Sequence, residues 1–222
     1  TGLTIQQFAF VPLVSVNTVR LTGIDRFFKR ISDLLGSMFL LIALSPVLVG
    51  VYILIRIDSK GSPIYLRGVI GENGRRFDAY KFRTMHINGD EILEKYPVLQ
   101  KQLREEHKLK DDPRITRVGK ILRKLSIDEL PQLLNVLKGE MCLVGPRMIT
   151  EAELIQYKKL DTNLQTVKPG ITGLWQVSGR SDLSYEHRVE LDMYYIRNWT
   201  IWLDIQIVIQ TIPAVLRSRG AY

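Results

Sequence analysis

The sequence predicts an α+β protein that is mostly helical, with a small β-hairpin, one kinked N-terminal membrane helix and amphipathic helices at the membrane surface. Three observations predict this class. Residues 34–55 form a stretch without a single charge. Residues 63–70 and 75–82 are two strand-like runs on either side of an Asn-Gly pair, a favoured hairpin turn. Most other segments carry apolar residues at helical spacing.

The composition restricts the partners and the chemistry. The 222 residues carry a net charge of +8, which favours nucleic acid, acidic lipid headgroups or phosphorylated small molecules as partners. A solvated basic surface explains the charge equally well. Cys142 is the only cysteine, so neither an intrachain disulfide nor a thiolate metal cluster can form. His86, His107 and His187 lie far apart in the sequence, which argues against a zinc site.

Residues 1–22 are expected to be a linker or the remnant of a removed upstream region, and residues 23–60 a membrane segment. Leu34 to Ile55 runs for 22 residues without a charge. At 1.5 Å per residue, a helix of that length extends about 33 Å, enough to cross the hydrocarbon core of a bilayer. A buried core helix is the alternative for so apolar a stretch.

Two features argue against a simple membrane span. Pro46, at the centre of the stretch, removes the backbone hydrogen bond to the Ile42 carbonyl and kinks the helix. The neighbouring Ser45 hydroxyl is placed to bond the freed carbonyl. Both flanks are basic, so the positive-inside rule selects neither orientation. These flanking residues are Arg26, Lys29 and Arg30 on one side and Arg56, Lys60 and Arg67 on the other. A re-entrant helix that returns to its starting face satisfies both flanks, and a Pro-kinked span is the alternative.

Residues 61–222 are expected to form one domain that ends in an interfacial helix. Its elements after the hairpin are predicted as a helix over 90–110 interrupted by Pro97, a helix from Ser126, a helix over 150–160, a loop over 168–182, a helix over 184–197 and an apolar helix over 199–216. Capping boxes, which open helices, are present at 126–129 and 150–153.

Aromatic residues surround the start of the last predicted helix. Trp199 and Trp202 follow Tyr194 and Tyr195, and such residues are typical of a membrane–water boundary. Packing of this helix against the core is the alternative.

An adjacent acidic pair, Asp128 and Glu129, follows the densest cationic run of the chain. Residues 108–124 hold seven basic residues against two aspartates. Acidic residues in a first helical turn often only complement the helix dipole. Here the cationic run and the helix N-terminus also favour an anion, and two carboxylates tolerate a phosphate when a cation lies between them. Oxygen ligands of this kind suit Mg²⁺, and carboxylate, metal and arginine are the components of phosphoryl transfer.

Other basic residues are candidates for contacts to phosphate. Gly145-Pro146 predicts a tight turn that presents Arg147, although a surface turn with an incidental arginine is as common. Lys81 and Arg83 point the same way if their segment is a strand.

These motifs together resemble the monotopic phosphoglycosyl transferases, the bacterial sugar transferase family. From about residue 25 to the C-terminus, the matching motifs in order are the apolar segment with Ser45-Pro46, Lys81-Phe82-Arg83-Thr84-Met85, Asp112-Pro113-Arg114-Ile115-Thr116, Arg123 to Leu133, Asn135 to Met141, Val144-Gly145-Pro146-Arg147 and Lys168 to Gly173. The tail, with Leu174 to Arg180 and the ending Gly220-Ala221-Tyr222, is most similar to the branch of undecaprenyl-phosphate galactose phosphotransferases.

The resemblance implies an enzyme that moves a sugar 1-phosphate from a UDP-sugar, UDP-galactose or UDP-glucose, to polyprenyl phosphate and releases UMP. Asp128 would be the nucleophile of a covalent aspartyl-phosphosugar intermediate, and Glu129, with Asp128, would hold Mg²⁺. The residues implied in binding phosphate or completing the site are Lys81, Arg83, Arg114, Arg123, Arg147, Arg180 and Asp192. One departure is Met148, where the family usually has proline, which removes a conformational restraint next to Arg147.

The same resemblance implies a location and a set of partners. Residues 61–222 would be a catalytic domain on the cytoplasmic face of a bacterial inner membrane, in contact with UDP-sugar, polyprenyl phosphate and membrane lipids, and acting in exopolysaccharide, O-antigen or capsule synthesis. The resemblance leaves open whether the protein forms a homodimer. A basic membrane-anchored lipid-binding or scaffold protein is the rival class, but it does not explain the ordered acidic pair. A nucleic-acid binder does not explain 22 uncharged residues, so no nucleic acid is expected.

Overall fold

The computed structural model describes residues 4–8, 11–15, 21–106, 109, 111–154, 157, 161–179 and 183–216. The strands are β1 (Thr4–Phe8), β2 (Val11–Ser15), β3 (Ile64–Ile70), β4 (Arg76–Phe82), β5 (Cys142–Val144) and β6 (Gly170–Thr172). The helices are α1 (Gly23–Asp58), α2 (Gly89–Glu94), α3 (Pro97–Glu106), α4 (Arg117–Lys124), α5 (Leu133–Lys138), α6 (Glu151–Leu154), α7 (Asp161–Leu164), α8 (Leu174–Ser178), α9 (Tyr185–Asn198) and α10 (Ile201–Leu216). The predicted α+β class is confirmed.

The N-terminal residues contain a hairpin that the sequence pattern does not predict. β1 and β2 pair antiparallel, with Thr4 opposite Ser15 and Phe8 opposite Val11. The expected linker over residues 1–22 therefore contains regular structure in the part that is described.

Helix α1 is 36 residues long and is long and apolar enough to cross a membrane by length and composition. It continues through Pro46 and is not divided into two helices there. The Ser45 hydroxyl donates a hydrogen bond of 2.8 Å to the Ile42 carbonyl, the acceptor that Pro46 leaves without its usual backbone donor. The predicted compensation at the proline is confirmed.

Both ends of α1 are buried against the rest of the protein, while its middle is not. Near the start, Lys29 forms an ion pair of 2.7 Å with Asp204 of α10, and the Asp33 carboxylate accepts a hydrogen bond from the Leu143 N–H of β5. Near the end, Val51 and Ile55 are buried in a cluster with residues of β4 and α4. None of residues 38–50 is buried. The exposed middle is the part available to lipid.

The β3–β4 hairpin matches its prediction closely. The two strands pair antiparallel from Ile64 opposite Phe82 to Ile70 opposite Arg76. Asn73 and Gly74 in the connection have φ angles of 56° and 72°, the left-handed conformation that Asn-Gly pairs favour in hairpins. The helical region predicted over 90–110 is confirmed as far as Glu106 and is divided before Pro97 into α2 and α3. Leu109 is not helical, and residues 107, 108 and 110 lie outside the described residues.

The segment over residues 168–182 is more ordered than the predicted loop. It contains β6, which pairs parallel with β5, and the short helix α8. A Cβ on Gly170 would stand 2.1 Å from the Gly145 nitrogen, so this close pairing requires glycine. The glycines that indicate a loop instead allow two backbones to approach each other.

The C-terminal helices appear where they are predicted, but their aromatic residues divide between two roles. Trp199 and Tyr195 are 4% and 3% exposed and belong to the main hydrophobic core, so their assignment to a membrane boundary is wrong. Trp202 is 71% exposed and Tyr194 is 56% exposed. α10 therefore packs on the core through one side and presents an apolar surface on the other.

Candidate active site

The acidic pair lies at a sharp corner of the chain. Helix α4 ends at Lys124, and Ser126 then adopts a left-handed conformation with φ of 54°. Asp128 and Glu129 follow in a 3-10 helix, Ile127–Gln132, which continues into α5. The predicted capping box is wrong, because the Ser126 side chain makes no capping hydrogen bond. By contrast, the capping box at Thr150 and Glu153 is confirmed, with hydrogen bonds in both directions.

A cavity of about 740 Å³ opens in front of the acidic pair. Seven of the predicted site residues line it, namely Lys81, Arg83, Arg114, Arg123, Asp128, Glu129 and Arg147. They come from β4 and the residue directly after it, the loop before α4, α4 itself, the 3-10 helix and the turn after β5. The fold therefore gathers residues that lie up to 66 positions apart in the sequence into one cavity, whose lining holds six lysine or arginine side chains and three carboxylates.

Lys81 of β4 is the cation closest to the acidic pair. Its Nζ lies 2.5 Å from Glu129 Oε1 and 4.0 Å from Asp128 Oδ2. All three side chains are 13–16% exposed, so solvent screens these contacts weakly. The position of Lys81 makes the two neighbouring carboxylates unequal.

The two carboxylates differ in their affinity for protons. Burial and the neighbouring Glu129 raise the pKa of Asp128 to about 6, against the opposing effects of Lys81 and Arg123. Burial alone would raise the pKa of Glu129, but Lys81 and Arg147 outweigh it and hold that pKa at about 2. Near neutral pH, Glu129 is an anion, while the pKa of Asp128 lies only about one unit below that pH.

Arg123 and Arg114 are held in place by Thr84 and Asp112, two residues of the family motifs to which the sequence assigns no role. Arg123 Nε donates a hydrogen bond of 2.8 Å to the Thr84 hydroxyl. Arg114 makes a bidentate contact with Asp112, with Nε–Oδ1 at 2.9 Å and Nη2–Oδ2 at 2.7 Å. Asp112 lies two residues before Arg114 in the same short motif, and this separation indicates that the two side chains can pair.

Arg147 projects into the cavity from the turn after β5. Its guanidinium carbon lies 5.4 Å from the centre of the Trp175 ring, and that of Arg188 lies 4.9 Å from the same ring. Trp175 and its neighbour Gln176 line the cavity and are further residues that sequence reasoning missed. Met148, at the position where the family usually has proline, is buried among Val69, Ala79, Val136 and Met141. Packing of that side chain anchors the turn.

Two other predicted residues have supporting positions. Arg83 lines the cavity, but its guanidinium donates hydrogen bonds to the Ser59 and Lys60 carbonyls just beyond α1. Asp192 is fully buried outside the cavity lining and accepts a hydrogen bond of 3.0 Å from the Tyr157 hydroxyl. Burial raises the pKa of Asp192 to about 7, while Tyr157 and Arg147 oppose that rise. Arg180 lies outside the described residues.

The donor set suits Mg²⁺ held jointly with a substrate. Among the described residues, no group of three or more histidine, cysteine, aspartate or glutamate side chains gathers around one point. Asp128 and Glu129 supply one or two carboxylates, and Mg²⁺ in phosphate sites commonly takes its other ligands from phosphate oxygens and water. The Lys81 contact with Glu129 would have to loosen to admit the ion.

Comparison with known proteins defines the family. The family profile for bacterial sugar transferases matches residues 24–218, and the chain belongs to that family. The UDP-galactose-lipid carrier transferase of Erwinia amylovora is 49% identical over 202 residues, which cover 89% of this chain and 42% of that protein. The exopolysaccharide production protein ExoY of Sinorhizobium fredii is 48% identical over 198 residues, covering 87% of this chain and 88% of ExoY.

A third relative has a name that states its acceptor. The undecaprenyl-phosphate galactose phosphotransferase of Salmonella typhimurium is 46% identical over 203 residues, which cover 89% of this chain and 42% of the relative. This chain thus spans less than half the length of two of these three relatives and most of the length of ExoY.

Proposed function

We propose that this protein transfers a sugar 1-phosphate from a UDP-sugar to polyprenyl phosphate and releases UMP, as an early membrane step in polysaccharide synthesis. The observation that carries the proposal is the placement of Asp128, a shielded carboxylate of raised pKa, at the wall of a cavity lined with lysine and arginine. The relatives' names support a lipid carrier and a galactose donor, and the name of one relative, from Klebsiella pneumoniae, gives UDP-glucose.

The chemistry assigns Asp128 as the nucleophile. One of its carboxylate oxygens attacks the sugar-proximal phosphorus, a P–O bond forms, and the bond to the UMP oxygen breaks. The polyprenyl phosphate oxygen then attacks the same phosphorus, which releases Asp128 and gives a polyprenyl diphosphate sugar. Asp128 must be ionised to act, so its pKa of about 6 is compatible with activity at neutral pH.

The surrounding residues stabilise phosphate charge during both steps. Glu129, with Asp128, would hold Mg²⁺, which neutralises charge on the diphosphate when bound. Lys81, Arg123 and Arg147 face the acidic pair and would bind the phosphate oxygens. Arg114 and Arg83 are fixed at the cavity wall by their own hydrogen bonds and would extend the basic surface around the donor.

The membrane placement follows from α1. Its exposed middle and the exposed apolar side of α10 are the surfaces that would enter the bilayer. Because both ends of α1 contact the same domain, we propose that the helix enters and leaves on one face, the cytoplasmic face of the inner membrane. The reaction would then take place near headgroup level, where a soluble donor and a lipid acceptor meet.

The test is UMP release from detergent-solubilised protein with several UDP-sugars and a short polyprenyl phosphate. We expect Asp128→Asn to lower turnover by about 10⁴ or more, because an amide cannot form an acyl phosphate. Asp78→Asn, an exposed site on β4, is the matched control and should keep its activity. Lipid binding without UMP release from any UDP-sugar would instead favour the non-catalytic lipid-binding class.

A further inference from the structure

A second cavity lies beside the start of α1. Its volume is about 390 Å³, and it shares no lining residue with the cavity of the acidic pair. Four of its lining side chains, Arg26, Lys29, Arg30 and Lys168, are cations that the proposed reaction does not use. Lys168 and the adjacent Gly139 belong to two family motifs that contribute no side chain to the first cavity.

The charged ends of Arg30 and Lys168 converge on one point. Arg30 donates hydrogen bonds of 2.6 Å and 3.0 Å to the carbonyls of Val136 and Leu137, at the end of α5. A Cβ placed on Gly139 would stand 3.2 Å from Arg30 Nη2 and 3.7 Å from Lys168 Nζ. The two cationic groups are therefore within about 7 Å of each other, a distance at which their repulsion is felt strongly.

The carboxylates nearby are already paired with other cations. Glu72 contacts Arg26, while Asp33 and Asp204 both contact Lys29, at 3.1 Å and 2.7 Å. Within the described part of the chain, no carboxylate lies within ion-pair distance of Arg30 or Lys168. Burial, Arg30 and Arg26 lower the pKa of Lys168, and this fall outweighs the opposing effects of Cys142 and Asp33.

Apolar side chains surround these cations. Leu21 and Phe27 supply apolar lining to the cavity. On the same first turns of α1, Ile24 is 72% exposed and Phe28 is 58% exposed. Aromatic and aliphatic side chains beside arginine and lysine are typical of the depth at which lipid phosphates lie.

We propose that Arg30 and Lys168 bind the phosphate of an anionic phospholipid headgroup, at a site separate from that of the polyprenyl acceptor. The phosphate would neutralise the two facing cations. The acyl chains of the same lipid would lie along the exposed apolar side of α1. The site rests on the proposed membrane placement of α1 but not on the transfer reaction. It gives the enzyme a fixed contact with bulk lipid at the start of the helix.

The test measures phosphatidylglycerol binding to the full chain by native mass spectrometry, after release from neutral detergent micelles. We expect Lys168→Gln to weaken binding about tenfold, the loss of about one charge-assisted hydrogen bond. Lys168→Arg should retain binding. Lys95→Gln, which removes the same charge at an exposed position directly after α2, should bind as the wild type does. Equal affinity of Lys168→Gln and wild type would overturn the proposal.

A second arm separates the lipid from a free anion. Inorganic phosphate, added to protein in neutral detergent, should raise the thermal unfolding temperature less than phosphatidylglycerol does at equal concentration. Phosphate binding that depends on Lys168, without any phosphatidylglycerol binding, would show an anion site and refute the lipid assignment. UMP release by Lys168→Gln in phosphatidylcholine vesicles should match wild type. Because lipid binding is measured without UDP-sugar, the lipid site can be confirmed or refuted even if the protein does not catalyse the proposed transfer.

Discussion

At the scale of single residues, one lysine gives the two carboxylates of the acidic pair different pKa values. Lys81 lies 2.5 Å from Glu129 but 4.0 Å from Asp128, so two adjacent carboxylates have pKa values near 2 and 6. Environments that separate two carboxylates in this way commonly give them different tasks. Glu129, whose pKa is lowered, suits a metal ligand, and Asp128 suits a nucleophile that exchanges its charge for a covalent bond.

Holding a charged Asp128 in this buried site should lower the free energy of unfolding. The folded state binds a proton at Asp128 more tightly than the unfolded chain, whose ordinary pKa is 3.8, so folding loses stability as pH rises from about 4 to 6. The full shift corresponds to ~3 kcal/mol. We therefore expect Asp128→Asn to raise the thermal unfolding temperature at about pH 8 and to change it little near pH 4. A variant no more stable than wild type at the higher pH would contradict this account, and Asp78→Asn is the control.

Sequence reasoning found the charged residues of the site better than their supports. Asp128, Lys81 and Arg147 were recognised from their motifs, and the structure brings all three to one cavity. Thr84 and Trp175 also belong to the family motifs, but the sequence assigns neither a role, because a hydroxyl bonded to Arg123 and a ring near Arg147 act through contacts distant in sequence.

At the scale of elements, α4 and the corner after it position the acidic pair. Gly119 of α4 packs directly on the backbone of Thr84, and an added Cβ would stand 2.1 Å from the Thr84 carbonyl oxygen. Such contact is possible only for glycine. Because Thr84 also bonds Arg123, the fit of this helix determines where that guanidinium lies.

We expect Gly119→Ala to push α4 away from β4, lowering stability by ~1–3 kcal/mol and turnover along with it. Gly68→Ala is the matched control, since nothing lies within 4 Å of its added Cβ, and it should be neutral or slightly stabilising. Thermal unfolding and UMP release of both variants check this. Equal behaviour of the two would show that the close contact does not matter.

Elements with strong local signals were predictable, and those formed by tertiary contacts were not. The β3–β4 hairpin follows from its Asn-Gly turn, and α9 lies where a helix is predicted over residues 184–197. The capping box at Ser126 failed because the chain reverses there through a left-handed residue, which local pattern does not encode. β5 and β6, three residues each, pair across more than twenty residues of intervening chain.

At the scale of the whole molecule, the topology of α1 distinguishes re-entry from spanning. Arg30 is bonded to α5 and is a poor labelling site, but Asp25 and Lys60 are exposed beyond the apolar stretch. In a Cys142→Ser background, we expect cysteines at both positions to react with an impermeant thiol reagent only after the cytoplasmic face is opened. Labelling of one position from outside intact cells would show that the helix spans.

Replacing Ser45-Pro46 with Ala-Leu should straighten the helix and expose one flank.

The central claim, that Asp128 is the nucleophile, is tested most directly by mass spectrometry of protein incubated with UDP-sugar in the absence of polyprenyl phosphate. We predict UMP release limited to about one per chain, and a sugar phosphate attached to the peptide that contains Asp128. Asp128→Asn should show neither, and Asp78→Asn should show both. UMP release that requires both substrates, with no adduct at Asp128 under any condition, would contradict the covalent mechanism.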